Sequence, residues 1–146
     1  MLSEFLVSLF AGFLGTVAMT LGQLVEMRLT RRDASFTPAQ IVSRIFSINF
    51  DSLPEARKVA LNYGAHFGYG TMLGLPLPVF IYFVGNDWLA ALWYALFVWL
   101  QGWLVVPVLG RHPWPWHWGR KWVLIDFLHH MVLAFATAWI YVSLSH

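Results

Sequence analysis

The sequence predicts an all-α integral membrane protein: a four-helix bundle built from two parallel two-helix repeats, with a short amphipathic helix between the first two spans. Three observations predict it. Only 11% of the 146 residues are charged and 59% are hydrophobic, with a mean hydropathy of +0.62, whereas soluble domains carry about a quarter charged residues. Four apolar runs each reach the roughly 20 residues that a spanning helix needs. All nine Lys and Arg residues are confined to two of the stretches between those runs.

The first run, 5–25, is interrupted only by Ser8, Thr16, Thr20 and Gln23. Glu4 precedes it and Arg28, Arg31 and Arg32 follow it. A signal peptide has the opposite charge order and a shorter apolar core, so the run reads as a retained span. Gly12, Gly15 and Ala18 give it small residues for close helix contact.

Residues 26–58 form the one sizeable polar region. Thr37-Pro38 reads as an N-cap followed by proline at the first helical position. Ile41, Val42, Ile45 and Ile48 then recur at helical spacing, which predicts an amphipathic cytoplasmic helix over 38–48. Such a helix lies on the membrane surface or packs on the ends of the bundle, and periodicity is compatible with both. Ser52-Leu53-Pro54-Glu55 has the capping-box pattern, placing the next helix start near Leu53.

The second span covers 59–84, with Pro76 and Pro78 expected to kink it or end its regular part. Leu77 reads as lying on a less crowded stretch of it. Gly85-Asn86-Asp87 is a turn signal. The third span, 88–109, contains Gln101 and Pro107. In the loop that follows, Trp114, Trp116 and Trp118, with Trp122 beyond, belong at headgroup level. The fourth span is 122–144, and residues 1–146 form a single membrane domain.

Six basic residues lie between the first and second spans and three between the third and fourth. The positive-inside rule then places both basic loops in the cytoplasm and both termini outside. The basic residues are thereby accounted for as topology signals, so no nucleic-acid partner is implied. With no cysteine in the chain, thiolate metal sites and cysteine nucleophiles are excluded.

Spans one and three share a direction, as do two and four, which implies a pseudo-two-fold axis along the membrane normal. Asn62, His66, Gly70 and Gly74, spaced four apart, align without gaps on Asp126, His130, Ala134 and Ala138. Side chains at that spacing share one helix face. Asn62, His66, Asp126 and His130 therefore form a candidate polar centre between the second and fourth spans. Gly12, Gly15, Gly70, Gly74, Ala134 and Ala138 are candidate packing surfaces. The same small-residue faces suit a homo-oligomer or a larger membrane complex, with the lipid bilayer as the general partner.

Asp126 is the sharpest of these residues. A carboxylate in a spanning helix is costly unless it is paired or hydrated. Its candidate partners are His130 on its own face and His66 across the bundle. Three readings follow: interhelical hydrogen bonding that fixes register, movement of a proton or solute along the seam, and haem or metal binding by a subunit of a larger complex. No cofactor is predicted. His129 and His130 are adjacent and point about 100° apart, and neither a C-x-x-C-H nor an H-E-x-x-H pattern occurs. His112 and His117 read as solvent-facing, and Glu26 and Arg28 as interfacial anchors. Ser8, Ser143 and Ser145 fall toward the opposite ends of their spans from the histidines, so no Ser-His-Asp arrangement emerges and an enzyme is the weaker reading.

Gly15 and Met19, His66 with Tyr69 and Gly70, Trp99, Pro107 and Gly110, and His130 together give a pattern that resembles the YagU-like and related families of small four-helix bacterial inner-membrane proteins. The resemblance spans most of the chain. Where these families often keep H-x-x-x-G in the last helix, this chain has His130 followed by Ala134. The resemblance implies the four-helix fold and a bacterial inner-membrane location, and implies no known reaction.

Overall fold

The computed structural model describes residues 2–145. Its elements in order are α1 (Leu2–Thr30), α2 (Thr37–Ile45), α3 (Glu55–Met72), α4 (Leu77–Val84), α5 (Asp87–Gly110), a short 3-10 turn (Pro115–His117) and α6 (Arg120–Ser145). No strand occurs among the described residues. Four helical stretches are long and apolar enough to cross a membrane: Ser3–Thr30, Glu55–Val84, Asp87–Gly110 and Arg120–Ser145. Met1 and His146, the ends to which the sequence assigns an outside location, lie outside the described residues.

The first span is longer than its apolar run because polar side chains close its end. Glu26 accepts from Arg32 at 2.7 Å and from the Thr30 hydroxyl at 2.8 Å. Arg31 then turns the chain with a left-handed φ of 54°.

Three local expectations are corrected. The cap of α2 is Phe36 rather than Thr37, and the helix stops at Ile45 rather than reaching 48. Its buried face is Ala39 and Ser43, packed on α3 and α5, while Ile45, Phe46 and Ile48 stay exposed. Small residues win that face because the helix crosses the ends of its neighbours at close range. The capping box does not form: α3 begins at Glu55 behind Pro54, and the Ser52 hydroxyl donates to Asn49 O at 2.9 Å instead.

The second span breaks where its prolines fall. Residues 73–76 are turns, and Pro76 caps α4. A proline has no N–H to continue the ladder. The Leu77 N–H goes to Gly74 O at 3.2 Å, which leaves Leu73 O without its usual partner. The Tyr94 hydroxyl of α5 takes it at 2.8 Å. Leu77 itself is fully buried, contrary to its reading as a less crowded position, because the break turns α4 onto α5. Gly85 then ends α4 with φ of 66°, and Asn86 caps α5 by accepting from Leu89 N at 3.0 Å.

α1 packs on α3 and α6, α6 on α5, and α5 on α4. α2 bridges α3 and α5 at the end that carries the basic loops. The arrangement is a square, with α1 and α5 on one diagonal and α3 and α6 on the other. Small residues set the spacing of its tightest edges. A Cβ on Gly12 would stand 2.9 Å from Gly74 N, and one on Gly74 would overlap Ser8 O. One on Gly70 would overlap Thr16, and one on Gly15 would overlap Thr137 and stand 2.8 Å from Leu133 O. Ala134 and Ala138 are buried on α6. The hydroxyls in these seams are satisfied within their own helices: Thr16 donates to Gly12 O and Thr137 to Leu133 O, both at 2.7 Å. They can therefore be buried without an unpaired group. Large apolar side chains such as Phe5, Phe10, Leu104, Tyr82 and Trp139 face outward, an exposed apolar surface of the kind that marks contact with a membrane or with other proteins.

Candidate functional site

The structure parts the four polar residues into three settings. Asn62 is pulled outward. Its side-chain oxygen accepts from Ala39 N at 3.2 Å and its amide donates to Ser35 O at 3.0 Å, so it ties α3 to the start of α2 and the loop before it. His66 turns to α1, its Nε2 lying 2.9 Å from the Thr20 hydroxyl. Asp126 turns to α5, where its Oδ2 accepts from the Trp99 indole at 3.0 Å. His130 sits one turn above Asp126, with Nδ1 at 2.8 Å from Asp126 O and 3.4 Å from its Oδ1. Asp126 and His130 share a face as the spacing requires. Asn62 and Asp126, matched in the repeat, have unrelated partners.

The tautomers follow from the partners. Thr20 spends its one hydroxyl proton on Thr16 O at 2.7 Å. His66 Nε2 must therefore carry a proton and donate to Thr20. A backbone carbonyl only accepts, so His130 Nδ1 is the protonated nitrogen of that ring. Its Nε2 faces α5, 3.6 Å from where a Cβ on Gly102 would stand.

His66 and His130 lie on the α3–α6 diagonal, and the charge of His130 reaches His66. Their depths agree. His130 is ten residues into α6 and His66 eleven into α3, about 15 Å from the basic end in each case. His129, on the neighbouring face, is within electrostatic reach of Glu26, Arg32, Asp126 and His130. Glu26 thus faces α6 in addition to closing α1. Titratable groups descend the bundle from Arg32 and Glu26 to His66.

A recess of about 120 Å³ reaches the inner members of this series from the basic end. Arg32, Ser35 and Pro38 lie toward its mouth, Gln23 and Asn62 along its wall, and Thr20 and His66 furthest in. Thr20 is ten residues from the end of α1, so the recess runs about 15 Å into the bundle. A cavity of that size with several polar partners is suited to water. At mid-depth the Tyr69 hydroxyl and the Gln101 side chain bridge α3 and α5.

α2 is held over the same end. Arg44 donates to Gly110 O, and to Leu109 O at 3.4 Å. His112 Nε2 meets the Gln40 side-chain oxygen at 3.1 Å. His112 is therefore a partner of α2 rather than a solvent-facing loop residue. Burial holds its pKa below the ordinary value of 6.5, and the nearby Arg44 charge adds to the effect.

Sequence reasoning missed Thr20, Trp99 and the inward roles of Glu26 and His129. Thr20 carried a signal: Ser8, Gly12, Thr16 and Thr20 are spaced four apart and give α1 a small, polar stripe. Trp99 carried none, because the side of α6 that meets α5 is decided by packing. Among the described residues, no three His, Asp or Glu side chains converge as a metal-ligand group.

Fold and site together define a helical bundle with membrane-length helices and a titratable interior open at its basic end. No family model, curated protein or solved structure matches the chain.

Proposed function

We propose that the protein is an integral membrane proton-relay element of the bacterial inner membrane, with its basic loops in the cytoplasm and its termini outside. Protons enter the recess, protonate His66, pass to His130 and are stabilised there by Asp126. The observation that carries this reading is that His66 both lines the recess and lies within electrostatic reach of His130 on the opposite corner of the square. Imidazole suits the task, since its unperturbed pKa places the charge change near neutral pH. The basic-residue asymmetry supports the orientation, and the resemblance to the YagU-like families supports the membrane. The helix order, with spans two and four on one diagonal, is compatible with a duplicated two-helix unit.

A structural reading is favoured by a different observation: Asn62, His66, Asp126 and His130 each already hold a hydrogen-bond partner. On that reading the bonds of Asn62, His66 and Asp126 to other elements fix helix register, at about 0.6–2 kcal/mol per bond, and His130 braces Asp126 within α6.

Proton flux into liposomes carrying the purified protein separates the two. A pH-sensitive dye inside the vesicles and an imposed membrane potential give the readout. The relay requires potential-driven flux that His66→Phe abolishes and Asp126→Asn reduces, with helix content unchanged in both. Flux no greater than that of empty vesicles contradicts the relay and leaves the structural role.

A further inference from the structure

A second concavity lies on the outer face of the α5–α6 pair, and it shares no lining residue with the recess. Its volume is about 570 Å³, within the range of small-molecule sites. Trp99, Trp103 and Phe127 form its inner part, Pro115 and Trp116 wall it at the loop end, and Arg120 stands there as its one cation. From Arg120 to Phe127 the groove follows seven residues of α6, about 10 Å along the helix axis.

The rings are locked together. Trp99 meets Trp103 edge-on at 4.7 Å and Phe127 at 4.8 Å between centroids. The Trp99 N–H is held by Asp126, so the ring presents carbon to the groove. The Trp103 N–H is buried without an acceptor among the described residues. The groove is thus apolar inside and positively charged at its rim. Its long axis runs along a membrane-length helix from the basic end inward. An acyl chain beneath a phosphate has that same polarity and direction.

We propose that this groove binds one anionic phospholipid of the leaflet facing the basic loops, with an acyl chain against Trp99, Trp103 and Phe127 and its phosphodiester on the Arg120 guanidinium. Arginine suits a phosphate because its planar fork donates two parallel hydrogen bonds. The tryptophans hold the interfacial depth at which headgroup and chain meet.

Native mass spectrometry of the detergent-purified protein tests this, with phosphatidylglycerol and phosphatidylcholine of equal chain length as probes. The expected result is one tightly retained phosphatidylglycerol per chain and weaker phosphatidylcholine. Arg120→Gln should weaken phosphatidylglycerol about five- to tenfold. Lys121→Gln, whose parent ammonium lies over Trp122 at 5.0 Å and outside the groove, should leave it unchanged. Trp116→Ala, at an exposed position on the groove wall, should weaken both lipids. Equal retention of the two lipids would overturn the proposal, as would equal losses in the Arg120 and Lys121 variants. Competition by glycerol phosphate at the same concentration as the lipid would also overturn it, because the chain would then contribute nothing.

Discussion

Adding one methyl group to Gly70 should destabilise the bundle, and adding it to Gly68, two residues earlier on the same helix, should not. A Cβ at Gly70 would overlap the Thr16 hydroxyl and lie 2.8 Å from its Cγ2 and 2.9 Å from its Cβ. Thr16 cannot swing away freely, since its hydroxyl is bonded to Gly12 O and the residue is fully buried. α1 and α3 must therefore separate, and overpacking of this kind costs about 1–3 kcal/mol. A Cβ at Gly68 meets nothing within 4 Å. There Gly68→Ala removes only the conformational freedom of glycine inside a helix, a gain of about 0.5–1 kcal/mol. Gly70→Ala makes the same helical gain, so the two variants should differ by the overpacking cost, about 1–3 kcal/mol, with Gly68→Ala the more stable. Reversible unfolding in mixed detergent, followed by far-ultraviolet circular dichroism, measures the difference. Equal stabilities for Gly70→Ala and Gly68→Ala would refute the claim that small residues set the α1–α3 distance.

Three further outcomes are expected. His112 has a lowered folded pKa, so between that value and the unfolded value of 6.5 the unfolded chain binds more protons and stability rises with pH. The stability linked to His112 is complete above about 6.5 and lost as pH falls below it; His112→Gln should flatten that part of a pH series of unfolding midpoints. Ser43 is buried on α2 with its hydroxyl unpaired among the described residues, so Ser43→Ala should be neutral or stabilising by up to about 1 kcal/mol in the same unfolding assay, and a clear loss would mean the hydroxyl has a partner. A double-mutant cycle of Thr20→Val with His66→Phe should show a coupling of about 0.5–3 kcal/mol, whereas additive losses would separate the two side chains.

The helices were legible because apolar run length and proline position are local properties. The 59–84 run and Pro76 were enough to anticipate a broken second span, and Gly85-Asn86-Asp87 the turn after it. Which face of α2 is buried was not legible, because periodicity ranks residues by hydrophobicity while the contact with α3 and α5 selects for smallness, hence Ala39 and Ser43 over Ile45 and Ile48. The Ser52 pattern failed because a capping box needs the helix to start at the serine, and Pro54 moved the start to Glu55. In the site, the Asp126–His130 pair could be read from its spacing. The partners on other helices, Thr20 for His66 and Trp99 for Asp126, depend on how each helix is rotated in the square. No pattern within one helix encodes that rotation.

The relay stands on electrostatic coupling between His66 and His130 across the bundle. Solid-state NMR of nitrogen-labelled histidine in lipid vesicles follows the protonation of each ring across pH. Replacing His130 with glutamine should shift the protonation midpoint of His66, because the His130 charge acts on that ring. A His66 midpoint that stays unmoved in the His130 variant would contradict the account.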